Sequence, residues 1–65
     1  MKYYGIYWRD GCGHYGLEEV WNSLEVVEDR CYELNENEED CEVYYEFEEV
    51  SYEVVMKENN GIING

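Results

Sequence analysis

The stretch 40–57 alternates between apolar and polar side chains and constrains the fold more than any other part of the chain. Successive side chains of a strand point to opposite faces, so the alternation predicts a half-buried strand. After Glu48 and Glu49 the apolar residues change phase, which indicates a β-bulge or a tight reversal into a second strand. The apolar side would consist of Cys41, Val43, Tyr45 and Phe47, and the other side of Glu42, Tyr44, Glu46 and Glu48.

A helix is the competing interpretation of the same stretch. Its apolar residues also fit positions i, i+4, i+7 and i+11, which share one face of a helix. Val, Tyr and Phe are abundant here and suit a pleated, half-covered surface, so we predict a strand. The residues that fit the helical spacing are Val43, Phe47, Val50 and Val54.

Two further segments complete the predicted fold. Residues 2–9 carry aromatic side chains on both faces of a strand, which is typical of the middle of a sheet or of a covered edge. The apolar residues that follow recur at intervals of three and four, which predicts an amphipathic helix over 17–29. A short strand at 30–34 and a hairpin loop at 35–40 would lead back to the alternating stretch and bring Leu34 opposite Cys41. The apolar stripe of the helix and its extension consists of Leu17, Val20, Trp21, Leu24, Val27, Cys31 and Leu34.

These segments predict a small α+β domain with the order β-α-β-β, or β-α-β-β-β if the alternating stretch forms two strands. One amphipathic helix would pack on one face of a small antiparallel sheet, and the other face would be left over. The 65 residues make a single domain, 1–65, which buries only about 60% of the surface of the unfolded chain. Residues 58–65 are a candidate flexible tail, since the sequence Asn59-Asn60-Gly61 indicates a turn.

The net charge restricts the partners of the chain. Seventeen Asp and Glu residues against four Lys and Arg residues give a formal net charge of −13. A field of this sign repels nucleic acids and anionic membranes, and it accelerates the encounter with a basic protein. A small acidic excess would serve solubility alone, but repulsion among so many carboxylates costs stability, which favours a role in binding.

The N-terminus and the cysteine content predict the compartment. The first residues lack the apolar run of a signal peptide, and no stretch approaches the ~20 apolar residues of a membrane span. We therefore expect a cytoplasmic protein, in a bacterial host cell if the chain is encoded by a phage. The three Cys residues would be free thiols in that reducing compartment.

The sequence gives little support to a metal site or a catalytic site. Zinc accepts three thiolates and one imidazole, but the candidate ligands lack the closely spaced pairs of zinc modules, so we predict no metal and no cofactor. A nucleophilic thiol needs a base and a positive environment, whereas this chain is strongly negative. A chain of this length also leaves little volume for a pocket of ~300 Å³ or more, so we predict that it is not an enzyme. The candidate zinc ligands are Cys12, His14, Cys31 and Cys41.

Carboxylates with interspersed tyrosines are the remaining feature. Side chains two residues apart on a strand are separated by ~6.6 Å, which is comparable to the spacing of charges along a nucleic-acid backbone. Tyrosine rings would add contacts where bases otherwise stack. A solvated strand face is the alternative explanation. We expect the partner-binding residues to be Glu38, Glu39, Asp40, Glu42, Tyr44, Glu46, Glu48 and Glu49.

Our first hypothesis is a non-enzymatic inhibitor that mimics nucleic acid and binds the basic groove of a nuclease or another nucleic-acid-binding defence protein. It would bind neither nucleic acid nor membranes. In size and charge the chain resembles the small acidic inhibitors that bacteriophages make against restriction, CRISPR effectors and other host defences, although no family motif carries this resemblance. Two alternatives stay open: an immunity protein or antitoxin that neutralises a basic toxin, and a structural interaction module, with or without a zinc staple. Exposed aromatic strand faces and an unpaired edge favour a homodimer in each case.

Overall fold

The computed structural model describes residues 2–64, which form three strands and two helices. The strands make one antiparallel sheet in the order β2-β1-β3. The predicted fold class, a small α+β domain with an antiparallel sheet, is confirmed. In chain order the elements are β1 (Tyr3–Arg9), β2 (Tyr15–Trp21), α1 (Leu24–Asn37), β3 (Tyr44–Val50) and α2 (Tyr52–Asn59).

β1 lies in the middle of the sheet, as its two aromatic faces predict. Ile6 and Tyr7 point to opposite faces and are both buried, with 0% and 8% of their surface exposed. Gly5 is needed for close packing, since a Cβ there would lie 2.8 Å from Cδ1 of Leu17 and 3.3 Å from Cγ1 of Val50. The central strand therefore packs against apolar groups on both sides.

The helix α1 covers the face of the sheet that carries Tyr4, Ile6 and Trp8, which we call the first face. Val27 and Cys31 of α1 form a buried cluster with Ile6. The helix begins after Ser23, whose hydroxyl accepts a hydrogen bond from the N–H of Val26 at 3.4 Å. Four partly buried residues complete this core: Tyr4, Trp21, Leu34 and Tyr45.

The helix α2 covers part of the opposite face, which we call the second face. Val55 of α2 and Val20 of β2 are both fully buried, and the two elements are in contact. The ring of Tyr52 lies 5.7 Å from that of Tyr3. The second face was predicted to be left over. This was wrong for the part that α2 covers, and only the part near Arg9 remains open.

The predicted helix over 17–29 is wrong in its first half, because residues 17–21 belong to β2. Leu17 pairs with Tyr7 and Glu19 with Ile6, so Glu18 is an extra residue in a β-bulge. The bulge places Leu17 on the same face as Val20 although the two are three residues apart. That spacing normally indicates a helix, and here it comes from an irregular strand.

Two other predicted elements are also replaced by helix. Residues 30–34 continue α1, so the expected hairpin with Leu34 opposite Cys41 does not form. After Val50 the chain does not enter a second strand, because Ser51 caps α2 and accepts a hydrogen bond from the N–H of Val54 at 3.3 Å. The change of phase in the sequence therefore marks a change of period from two residues to 3.6.

The end of the described chain lies against the outer edge of β2. Asn60 and Gly61 adopt positive φ angles of 54° and 75° and turn the chain after α2, which confirms the predicted turn. The N–H of Asn64 donates to the carbonyl of Val20 at 2.6 Å, and the side-chain Oδ1 of Asn64 accepts from the N–H of Val20 at 3.3 Å. The candidate tail 58–65 thus contains the end of α2 and this contact, while Gly65 lies outside the described residues.

Both helices are short, and their exposed surfaces carry charged residues together with apolar ones such as Leu24, Val26 and Met56. α1 has 14 residues and α2 has eight. Within residues 2–64, no helix has the length and apolar content that crossing a membrane requires. The exposed side of α1 carries Glu25, Glu28, Asp29, Tyr32 and Glu36.

Candidate protein-binding surface

The residues predicted to bind a partner fall into two adjacent groups, which together we call the acidic band. Four lie in the loop 38–43 between α1 and β3, and four lie on β3, which is an edge strand. All are exposed except Glu38, which is half-buried. The loop members are Glu38, Glu39, Asp40 and Glu42, and the strand members are Tyr44, Glu46, Glu48 and Glu49.

Two loop members of the acidic band have structural contacts. Glu38 accepts a hydrogen bond from the N–H of Asp40 at 3.1 Å and another from the hydroxyl of Tyr45 at 3.1 Å. Asp40 accepts from the N–H of Glu42 at 2.9 Å. These bonds hold the loop in shape, so Glu39 and Glu42 are the loop carboxylates whose side chains are left for a partner.

The four strand members of the acidic band divide between the two faces of the sheet. Tyr44, Glu46 and Glu48 lie on the second face, at alternate positions of β3 that are ~6.6 Å apart. Glu49 points to the first face, and its carboxylate lies 3.7 Å from Nζ of Lys2. A partner bound to Tyr44 and Glu48 on the second face would therefore contact Glu49 only if it also extended past the edge of the sheet to the first face.

Arg9 places a positive charge beside the acidic band. Its Nε donates to Oε2 of Glu46 at 2.9 Å, and its guanidinium carbon lies 5.6 Å from the ring centroid of Tyr15. Arg9 and Tyr15 could not be predicted from the sequence, because they come together through the pairing of β1 with both β2 and β3. Glu46 is thus engaged within the chain, whereas Glu48 has no basic partner among residues 2–64.

The other cations leave most of the acidic surface without a counterion. Arg30 donates to Glu19 at 2.7 Å and to Glu33 at 3.1 Å, beneath and beside α1. The hydrogen bonds from Arg30 hold the pKa of Glu19 below its ordinary value. Among the described residues Lys57 makes no ion pair. Among residues 2–64, the acidic band forms ion pairs with Arg9 and Lys2 alone.

The outer edge of β3 is closed at one position by a side chain. Nδ2 of Asn35 donates to the carbonyl of Tyr45 at 3.1 Å, and Oδ1 of Asn35 accepts from the N–H of Tyr45 at 2.8 Å. The two backbone groups of a strand residue point to the same side, and every second residue points the same way. Phe47 and Glu49 therefore direct their N–H and C=O groups to the same edge, where no hydrogen-bond partner lies within residues 2–64. Asn35 was missed in the sequence because it falls in a run of polar residues that predicted a loop.

A shallow depression of about 30 Å³ lies beside Arg9 and Glu46 and is also lined by Tyr7, Phe47 and Glu48. Burial and the nearby carboxylates of Glu58 and Glu48 raise the pKa of the Tyr7 hydroxyl, so it stays protonated at neutral pH. The depression holds about one water molecule and is far below the ~300 Å³ of an ordinary ligand pocket. A ligand of ordinary size therefore does not fit in this depression.

The candidate zinc ligands are not brought together. Cys31 is buried in the core on α1, while Cys12 and Cys41 are exposed on two different loops. Within residues 2–64, no group of three His, Cys, Asp or Glu side chains has the geometry to hold a metal ion. His14 instead contacts Asp10, which also accepts the backbone N–H groups of His14 and Cys12, each at 2.9 Å. These bonds, that from the N–H of His14 first, lower the pKa of Asp10 and shape the β1–β2 loop.

Comparisons were made with protein-family models, with curated proteins and with solved structures, and none of the three finds a match to this chain.

Proposed function

We propose that the chain is a non-enzymatic inhibitor that binds the basic groove of a nucleic-acid-handling protein, such as a nuclease of a bacterial defence system. The observation that carries this proposal is the acidic band, which continues from the loop 38–43 onto β3. Its exposed carboxylates without a basic partner among residues 2–64 include Glu39, Glu42 and Glu48. A groove that binds phosphates through Lys and Arg would attract these groups.

The rigidity of the acidic band supports mimicry of a nucleic acid over a diffuse attraction. The backbone N–H groups of Asp40 and Glu42 donate to the carboxylates of Glu38 and Asp40, and these hydrogen bonds fix the loop. Pairing with β1 fixes β3. Tyr44 lies between the two groups of carboxylates and is 46% exposed, so its ring is available to a partner. Fixed charges beside an exposed aromatic ring give both long-range attraction and a specific contact.

Capture of the target from a host-cell lysate tests the proposal, with two charge-reversed variants of equal net charge. The band variant carries Glu39→Lys, Glu42→Lys and Glu48→Lys. The control carries Glu18→Lys, Glu28→Lys and Asp29→Lys, on β2 and α1 outside the acidic band; all six side chains are exposed.

We expect the wild type and the control to retain one basic nucleic-acid-binding protein, identified by mass spectrometry, and the band variant to lose it. The purified target should then lose its nuclease or nucleic-acid-binding activity when the wild-type chain is added. Equal capture by all three proteins would show that the acidic band is only a solvated face. Capture of a single cognate toxin, with its toxicity neutralised, would favour the immunity-protein alternative.

A further inference from the structure

We infer that the outer edge of β3 is a docking site for an extended, basic segment of the partner protein, which adds to the sheet as a fourth strand. This inference rests on the proposed function and specifies how the partner is held. Edge strands present unpaired N–H and C=O groups, which makes them templates for an added strand.

Within residues 2–64, each outer edge of the sheet is closed at one residue by an asparagine. On β2, the backbone of Val20 is bonded to Asn64. On β3, Asn35 occupies only Tyr45, so the edge is closed at the beginning of the strand and open at Phe47 and Glu49. An added strand can therefore pair with this second half alone, and Asn35 limits the register.

The side chains along the open half determine the chemistry of the added strand. Glu46 and Glu48 point to the second face, while Phe47, 37% exposed, and Glu49 point to the first face. Side chains opposite each other on neighbouring strands lie ~4.5–5.5 Å apart, where opposite charges and apolar pairs are favourable. Glu48 has no basic partner among residues 2–64, while Glu46 and Glu49 form solvent-exposed ion pairs with Arg9 and Lys2, which are weak enough for a partner's cation to join or replace. The matching segment therefore carries Lys or Arg opposite these three carboxylates and an apolar residue opposite Phe47.

A second copy of the chain is a poor occupant of this edge. Antiparallel pairing of two β3 strands with Phe47 opposite Phe47 would place Glu46 of one copy opposite Glu48 of the other. Like charges directly opposite each other are destabilising, and each copy has a formal net charge of −13. Charge complementarity therefore selects a basic segment.

Two synthetic peptides test strand addition. The first is a short peptide with the core Lys-Lys-Val-Lys flanked by Thr, which matches residues 46–49 in antiparallel register. The second has the same sequence and charge but is N-methylated at alternate amides, so that it cannot donate backbone hydrogen bonds to β3. We expect the first peptide to bind about tenfold more tightly, because it forms at least two hydrogen bonds to β3 that the second peptide cannot form. It should also slow amide hydrogen exchange at Phe47 and Glu49.

A pair of variants tests the same edge from the side of the protein. Glu49→Pro removes an outward N–H at a position where an edge strand tolerates proline, and Glu49→Gln removes the same charge but keeps that N–H. The proline variant should lose binding of the first peptide well beyond the glutamine variant, with both retaining their circular dichroism. If the proline variant does not fold, the difference in affinity between the two peptides is by itself the test of strand addition.

Equal binding of the two peptides, or no binding of either, would overturn strand addition. Equal binding would leave the electrostatic function standing, because that function is tested separately by displacement of nucleic acid from the captured target. A dimer detected by sedimentation equilibrium in the wild type and lost in Glu49→Pro would show that a second copy occupies the edge, and would also overturn the inference.

Discussion

Asn35 binds both backbone groups of Tyr45, donating to its carbonyl at 3.1 Å and accepting from its N–H at 2.8 Å. The side-chain amide thus joins the last part of α1 to the outer edge of β3. It also satisfies two polar groups that pairing with β1 leaves open. This contact positions the loop 38–43, and with it the first half of the acidic band.

Asn35→Ala should lower the free energy of unfolding by about 1–2 kcal/mol, the value of two hydrogen bonds that water partly replaces. Asn37→Ala is the matched control, because within residues 2–64 the side chain of Asn37 bonds only to the carbonyl of Glu33 in its own helix, at 3.0 Å. Urea denaturation should separate the two variants. Hydrogen exchange of the Tyr45 amide should accelerate in Asn35→Ala alone, and equal effects of the two substitutions would remove the special role of Asn35.

Glu19→Gln should destabilise the chain by about 1–2 kcal/mol, because it weakens charge-assisted hydrogen bonds from Arg30. Glu19 also accepts from the indole N–H of Trp21 at 2.8 Å. Glu18→Gln removes the same charge from the exposed bulge residue and should leave the melting temperature nearly unchanged. Similar melting curves for the two variants would contradict the stabilising role of the hydrogen bonds to Glu19.

The Glu19–Arg30 contact should also make stability depend on pH. Arg30 holds the pKa of Glu19 below its ordinary value near 4.5, so the folded state favours the ionised carboxyl. This contribution is complete above that ordinary value and is lost as the pH falls through the lower, folded-state value. The difference in unfolding free energy between wild type and Glu19→Gln should therefore be constant near neutral pH and shrink in acid. A difference that grows in acid would contradict the assignment.

Phe47→Ala tests the burial of a residue that the alternating pattern assigns to the apolar side of the strand. A buried Phe would cost about 3–5 kcal/mol on truncation, but Phe47 is 37% exposed at the edge of the sheet. We expect a loss of about 1 kcal/mol. Val27→Ala, at a fully buried position, should cost more although it removes fewer atoms. The reverse order, measured by urea denaturation, would show that Phe47 packs in the core.

Salt should stabilise the isolated chain. The formal net charge of −13 opposes compaction, and screening by about 0.5 M NaCl shortens the range of this repulsion to a few ångströms. The melting temperature should rise between about 0.05 M and about 0.5 M NaCl. A falling melting temperature would mean that the few ion pairs outweigh the repulsion.

The sequence predicted the fold class because the strongest patterns in it are local. Alternation identified β3 and its faces from Tyr44 onwards, but Cys41 and Val43, predicted on the same strand, lie in the loop before it. The two aromatic faces of residues 3–9 identified a central strand. The start of α1 could not be read from spacing alone, since the bulge at Glu18 gave β2 the apolar interval of a helix. Ser23 and Ser51, the N-caps of the two helices, are the signals that would have corrected both boundaries.

The acidic band was predicted in composition but not in arrangement. Its residues are exposed except Glu38, and three of its four strand members lie on the second face. Glu46 and Arg9, which form an ion pair, are separated by 37 positions in the chain. Asn35 and Tyr45, which are hydrogen-bonded, are separated by 10 positions. Such contacts depend on the tertiary fold, and no local pattern reports them.

Competition between the chain and nucleic acid for the captured target tests the central proposal most directly. A fluorescently labelled oligonucleotide is bound to the purified target, and the chain is added while anisotropy is recorded at low and at moderate salt. We predict complete displacement by the wild type and by the Glu18, Glu28 and Asp29 control, weaker displacement at moderate salt, and none by the Glu39, Glu42 and Glu48 variant. A ternary complex in which the target binds oligonucleotide and chain together would contradict the proposal.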